Sequence, residues 1–236
     1  MDQNCPICII DFDSTFVTVE VMDELAAVAL AGCPNRDEIV GRIKETTCMG
    51  MEGKIPFNES LMRRVALLSA NKSHVDELVV QVAGKISVSI ERNRAFFLAN
   101  RENVYIVSGG FKEVIVPIVQ GFGIPEENVF ANTFVYDPDG NITGVDTENL
   151  LSQEGGKVKQ VASLGLTGFV YVIGDGYTDY QIKEAGFAHK FVAFTENVER
   201  PNVIAKADCV ALSFDEFLIL EGLNGHRRIS RCPDRL

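Results

Sequence analysis

Ile7-Cys8-Ile9-Ile10-Asp11-Phe12-Asp13-Ser14-Thr15 is the stretch on which the fold turns. Four apolar residues in a row, three of them isoleucine, suit a short strand, and the lack of alternation means that both of its faces are covered. The run stops at two carboxylates one residue apart, followed by two hydroxyls. A buried parallel strand therefore delivers polar groups at its carboxyl end, where open α/β sheets gather their ligands.

Working outward, Asn103-Val104-Tyr105-Ile106-Val107 repeats the pattern and ends in Ser108-Gly109-Gly110. The stretch 169–173 repeats it again and enters Gly174-Asp175-Gly176. Further strands are expected at 128–130, 190–193 and 209–212, and a hairpin over 133–144 around an Asp-Gly turn. Helices are expected near 89–99, 153–164, 178–184 and 214–220, with another beginning near Phe111. Strands alternating with helices give an α/β, Rossmann-like core with a mainly parallel sheet flanked by helices. Between the first two strands, helical patterns over 19–31, 37–47, 58–69 and 74–83 follow one another with no strand, which reads as an inserted helical cap. The expected organisation is a core of residues 1–17 and 89–222, a cap of 18–88 and a basic tail of 223–236 with four arginines against Asp234.

The 236 residues carry 33 acidic and 22 basic side chains, a formal charge of −11. That balance argues against nucleic acid or an anionic membrane surface as a partner. No apolar run is long enough to span a bilayer and no secretory pattern is evident, so cytoplasmic residence is expected. Six cysteines are too sparse for a disulfide scaffold and are expected as free thiols; Cys5-Pro6-Ile7-Cys8 reads as strand sequence, since no second such pair follows. His74, His189 and His226 lack the spacing of a metal site or triad.

Three strand ends thus carry the chemistry: Asp11 with Asp13, Ser108, and Asp175 with Asp179. Carboxylates crowded into one pocket repel each other and an incoming phosphate, and a divalent cation offsets both costs. Magnesium suits hard carboxylate and phosphate oxygens. Asp11 could attack phosphorus, and Asp13 could protonate a leaving oxygen and then activate water.

In order and separation, the run from Asp11 to Thr15, Ser108-Gly109-Gly110, Lys157 and Gly174-Asp175-Gly176-Tyr177-Thr178-Asp179 resemble the motifs of the haloacid dehalogenase-like hydrolases. The resemblance implies a magnesium-dependent hydrolase with Asp11 as nucleophile and Asp13 as general acid and base. It further implies phosphate binding by Ser108, Gly109 and Lys157, metal binding by Asp11, Asp13 and Asp175, and support of the metal shell by Asp179 and Thr178. Thr178 stands where the family commonly has asparagine. The stretch 51–68 is similar to the cap of the phosphoserine phosphatase group, which implies that Glu20 meets a substrate ammonium, Arg64 a carboxylate, and Met51 and Phe57 an apolar wall. The expected partner is a small phosphorylated metabolite, phosphoserine in the first instance, and a homodimer is compatible. The competing expectations are a phosphatase for another small ester and a non-catalytic phosphate-binding regulator.

Overall fold

The structure, a computed structural model, describes residues 6–223. Cys5 and all of the basic tail except Leu223 lie outside the described residues. The chain runs from β1 (Ile7–Ile10) through α1 (Val21–Ala29), α2 (Arg36–Met51), α3 (Phe57–Val65) and α4 (Lys72–Ala83) to α5 (Val88–Arg92), α6 (Arg94–Asn100) and β2 (Val104–Phe111). Next come α7 (Lys112–Val119), β3 (Val129–Asn132), β4 (Phe134–Tyr136), β5 (Ile142–Val145) and α8 (Gly156–Ser163). The described chain closes with β6 (Val170–Gly174), α9 (Tyr177–Glu184), β7 (Lys190–Phe194), α10 (Pro201–Ile204), β8 (Cys209–Ala211) and α11 (Phe214–Leu220).

Six strands form one parallel sheet in the order β3-β2-β1-β6-β7-β8. The winding reverses at β1, with β2 and β3 on one side and β6 to β8 on the other. Open α/β sheets place their ligand crevice at such a switch point. Ile10 pairs with Ile106 on one flank and Ile173 on the other, so Asp11, Ser108 and Asp175 leave neighbouring strands at one end of the sheet. Helices on both faces keep β1 fully buried.

Between β1 and α1 the chain makes one wide turn, closed by the Val17 N–H donating to the Phe12 carbonyl at 3.0 Å. Phe12 and Phe16 anchor it in an aromatic cluster with Phe97, Phe122 and Phe214. Each fully buried ring contributes about 2–3 kcal/mol of transfer free energy. This anchoring offsets a strained residue in the turn, since Ser14 sits at φ +53°, a conformation costing a non-glycine residue about 1–2 kcal/mol. In return Ser14 points both of its donors at the next segment: its N–H to the Val19 carbonyl at 3.1 Å and its hydroxyl to Glu20 Oε1 at 2.8 Å.

Helices α1 to α4 pack on one another, α2 against α1 and α3, and α1 against α4. Val17 and Ile86 bridge the two connections to the sheet, and the start of α4 hooks onto the β4–β5 turn through Lys72 N–H to the Gly140 carbonyl at 2.9 Å. His74 serves in the capping box of α4, its Nδ1 accepting from the Asn71 N–H at 3.3 Å. Cys33, Cys48 and Cys209 are free thiols, and Cys8 is buried in β1.

Two local expectations change. β2 does not stop at Val107 but continues to Phe111, which pairs with Asn132 across an irregular register. Gly109 and Gly110 allow this, because a strand can bulge where no Cβ obstructs it. The single helix expected at 89–99 is two, broken at Asn93, whose side chain donates to the Ser89 carbonyl and to Asp215 Oδ1, both at 2.8 Å. Such side-chain bonds compete with helical ones.

Candidate active site

Beyond β1 and β6, three carboxylates converge. Asp11, Asp175 and Asp179 are all buried, and each offers an oxygen within 4.8 Å of the others. Asp11 Oδ1 accepts from the Phe12 N–H at 2.7 Å and lies 2.8 Å from Lys157 Nζ, which also reaches Asp179 Oδ1 at 2.7 Å. Lys157 comes from the first turn of α8. Gly156 beside it has no room for a side chain, since a Cβ would lie 2.5 Å from the Leu150 carbonyl oxygen. Asp179 is fixed from its other end by the Gly176 N–H at 3.0 Å. Asp175 accepts from Thr15 Oγ1 at 3.0 Å and from Arg200 Nε at 3.0 Å.

Asp13 points elsewhere. Its Oδ1 accepts from the Val21 N–H at 2.6 Å, at the start of α1, and its Oδ2 faces Ser108 Oγ at 3.5 Å. Its carboxylate is therefore not in the three-carboxylate cluster where the sequence reading put it, because the turn after Phe12 swings that side chain away. Asp179, expected only in support, stands inside the cluster. Thr178 lines the neighbouring cavity.

On the cap side, Glu20, Met51, Phe57 and Arg64 come together with Asp13, Met22, Gly109 and Gly110 around a void of about 10 Å³. A cavity of that size holds about one water. Arg64 is buried in α3, bonded to the Ser60 carbonyl at 3.3 Å and Thr47 Oγ1 at 3.4 Å, with Phe57 beneath its guanidinium. Ser108 Oγ accepts from the Gly110 N–H at 2.9 Å, and Asn132 Nδ2 donates to the Gly109 carbonyl at 2.9 Å, so this turn is held from both sides.

The electrostatics are those of a site built for a cation. Burial, then the charge of Asp11, pushes the Asp13 carboxyl up to about 7 and that of Asp179 up to about 8. Burial and Asp11 also raise Asp175, and burial with Asp13 and Asp175 raises Glu20 well above the usual carboxylate range. Burial alone would lower Lys157, but the carboxylates of Asp11 and Asp179 outweigh it and the ammonium stays charged. Hard oxygens, mutual proximity and a repulsion that Lys157 and Arg200 only partly offset all fit a divalent ion such as magnesium at Asp11, Asp175 and Asp179.

A pH dependence follows for the metal-free protein. Asp13 and Asp179 ordinarily titrate near 3.8, so between about pH 4 and 8 the folded state keeps protons that the unfolded state has released. The stability carried by these protonated groups is full below about pH 4 and lost as the pH rises through 7 to 8. A magnesium ion held at the cluster would relieve the repulsion that the protons relieve in its absence. The melting temperature is thus expected to gain more from magnesium at about pH 8 than at about pH 5, as thermal scans with and without the ion will read.

Arg200 is a candidate site residue that the sequence reading does not name. Its guanidinium joins Asp175 to Glu20, at 3.0 and 3.4 Å, and its side chain is only 10% exposed. No signal in its neighbourhood gives it away, since it is one arginine in a polar connection before Pro201. Asn132 was also passed over, because it falls between the strand expected at 128–130 and the hairpin expected from 133, whereas the observed strand runs on to include it.

A model of the haloacid dehalogenase-like hydrolases matches residues 8–183, and the chain belongs to that family. Its relatives sharpen the picture. The chain is 34% identical over 212 residues to the chloroplastic phosphoserine phosphatase of Arabidopsis thaliana, covering 88% of this chain and 69% of that protein. It is 29% identical to the Homo sapiens phosphoserine phosphatase, covering 88% and 89% of the two. Among solved structures, a phosphoserine phosphohydrolase-like protein from Francisella tularensis subsp. tularensis SCHU S4 superposes with a TM-score of 0.82 at 31% identity, over 92% of this chain and 99% of that one. A substrate-bound phosphoserine phosphatase gives 0.73 at 26% identity, over 93% and 99%.

Proposed function

We propose that this chain is a magnesium-dependent phosphatase that hydrolyses O-phosphoserine to serine and phosphate through an aspartyl phosphate on Asp11. The observation that carries the substrate is the pocket over Asp13, lined by a buried guanidinium, Arg64, a half-buried carboxylate, Glu20, and the apolar side chains of Met51 and Phe57. An amino acid's carboxylate and ammonium match that pair, Arg64 offering a planar fork of donors. An ammonium arriving at Glu20 supplies the positive charge that draws its carboxyl back toward the ionised form.

Asp11 lies 2.8 Å from Lys157, and attack of its free oxygen on phosphorus forms the acyl phosphate while the serine oxygen leaves. Asp13, with its carboxyl raised to about 7, is protonated often enough near neutrality to give that oxygen its proton. The same group, once ionised, takes a proton from the water that hydrolyses the intermediate. Ser108, the Gly109 backbone and Lys157 hold the phosphoryl oxygens. A magnesium ion at the cluster would supply charge neutralisation of the phosphate, with Asp11, Asp175 and Asp179 as the side chains placed to hold it. Thr15 and Arg200 orient Asp175, and Thr178 stands next to Asp179 in the first turn of α9.

Met51 and Phe57 exclude water from the closed pocket. The pocket as it stands has room for about one water, so the cap must lift for phosphoserine to enter. All the side chains named come from one chain, and a second subunit is not needed to complete the site. No helix among the described residues is long and apolar enough to cross a membrane. The free thiols of Cys33, Cys48 and Cys209 suit a reducing compartment such as the cytoplasm.

The test is phosphate release from phosphoserine, phosphothreonine, phosphoethanolamine, phosphopropionate and sugar phosphates, each with magnesium and with a chelator. The expected result is turnover of phosphoserine at least about 100-fold above phosphoethanolamine and phosphopropionate in kcat/KM, abolished by chelation. Equal rates on all three would sink the substrate assignment, and binding without turnover would favour a phosphate-binding regulator.

A further inference from the structure

Three contacts seat the turn between α2 and α3 on the core. Phe57 lies so close over Gly109 that a Cβ there would be 2.2 Å from its Cζ. Met51 Sδ would stand 3.5 Å from a Cβ on Gly176. Gly53, at φ +72°, rests on the ring of Tyr177, whose Cδ1 a Cβ would meet at 2.8 Å. The first two contacts involve residues already given a part in the site. The third brings in an aromatic side chain that the proposed chemistry does not use.

Tyr177 opens α9, two residues after Asp175, and its ring is backed by Tyr180 at 5.8 Å between centroids. Lys206 Nζ stands 4.7 Å from the Tyr180 centroid and 5.8 Å from that of Tyr177. Around the ring runs a cavity of about 240 Å³, walled by Gly50, Gly53 and Lys54 from the cap side and by Gly155 and Gly156 from the core. Without the ring, the turn would face that open space with nothing under it. Met51 lies two residues before Gly53 and Phe57 four after, so the height of this turn sets how far both descend over the substrate pocket.

We propose that Tyr177 is a positioning residue for the cap: its ring seats Gly53 and thereby fixes the depth at which Met51 and Phe57 close over the substrate. Only its kinetic consequence rests on the phosphoserine reading. The glycine is as necessary as the ring, because a Cβ at position 53 meets both a left-handed backbone and the ring face.

Hydrogen exchange of residues 48–57 in the full chain reads the seating without any substrate. Tyr177→Ala is expected to raise exchange there about tenfold, and Tyr177→Phe, which keeps the ring, to leave it as in the wild type. Gly53→Ala raises it too, and adds less in the Tyr177→Ala background than in the wild type, because the collision with the ring is gone and only the left-handed backbone strain remains. Exchange in β1 and β2 stays unchanged, which separates a lifted cap from a loosened core. In kinetics, the KM for phosphoserine rises about tenfold in Tyr177→Ala while kcat moves less than about threefold. Wild-type exchange at 48–57 in Tyr177→Ala, or Tyr177→Phe behaving like Tyr177→Ala, overturns the proposal. A wild type that leaves phosphoserine intact overturns the substrate reading instead, with the exchange arm still deciding the role of Tyr177.

Discussion

Asp11→Asn is expected to lower kcat on phosphoserine by at least about 10⁴-fold, the scale on which loss of a nucleophile is felt in a hydrolase. The substitution is nearly isosteric, and the carboxamide oxygen can still accept from the Phe12 N–H that Asp11 Oδ1 holds at 2.7 Å. What disappears is the nucleophilic carboxylate and one charge of a crowded buried cluster. Lys157 keeps Asp179 as its partner, and Asp13, Asp175 and Asp179 lose a repelling neighbour, so the fold should survive. Steady-state phosphate release and a thermal scan on the same sample check both halves. Residual activity above about 1% would remove Asp11 from the nucleophile's role.

The second large effect is expected at Arg64. Removing a buried cation that pairs with a substrate carboxylate costs roughly 2–5 kcal/mol, so Arg64→Ala should lower kcat/KM for phosphoserine by about 30- to 4,000-fold. Phosphoethanolamine has no carboxylate to lose, and its kcat/KM should change by less than about threefold. Arg64→Lys keeps the charge without the two-pronged geometry and should fall between. Arg64 is also bonded to Ser60 and Thr47, so melting temperatures must accompany the kinetics. An equal loss on both substrates would make Arg64 a structural residue of the cap and leave the carboxylate without its partner.

Much of the core was readable because parallel strands covered on both faces write themselves as short apolar runs, and because the polar groups follow each run directly. β1, β2 and β6 and the groups at their ends follow from that rule. The wide turn after Asp11 did not: neither a left-handed serine at 14 nor an i to i+5 closure has a signature in residue type, and it is this turn that sends the Asp13 carboxylate toward Val21 rather than toward the other acids. Two glycines suggested that β2 had ended, whereas they let it bulge on to Phe111. Arg200 reaches Asp175 and Glu20 from sequence distances of 25 and 180 residues, a link that only the folded chain makes. Tyr177 sits inside a recognisable motif, yet its contact with Gly53 depends on where the cap comes to rest.

The most direct test of the account is an acid quench of the wild-type enzyme turning over phosphoserine labelled in its phosphate, with magnesium present, followed by mapping of the protein-bound label. Acid-trapped label is expected on the peptide that carries Asp11, and none when the ion is chelated or Asp11 is replaced by asparagine. Brisk release of phosphate with no label trapped at any quench time, or label on another residue, would contradict it.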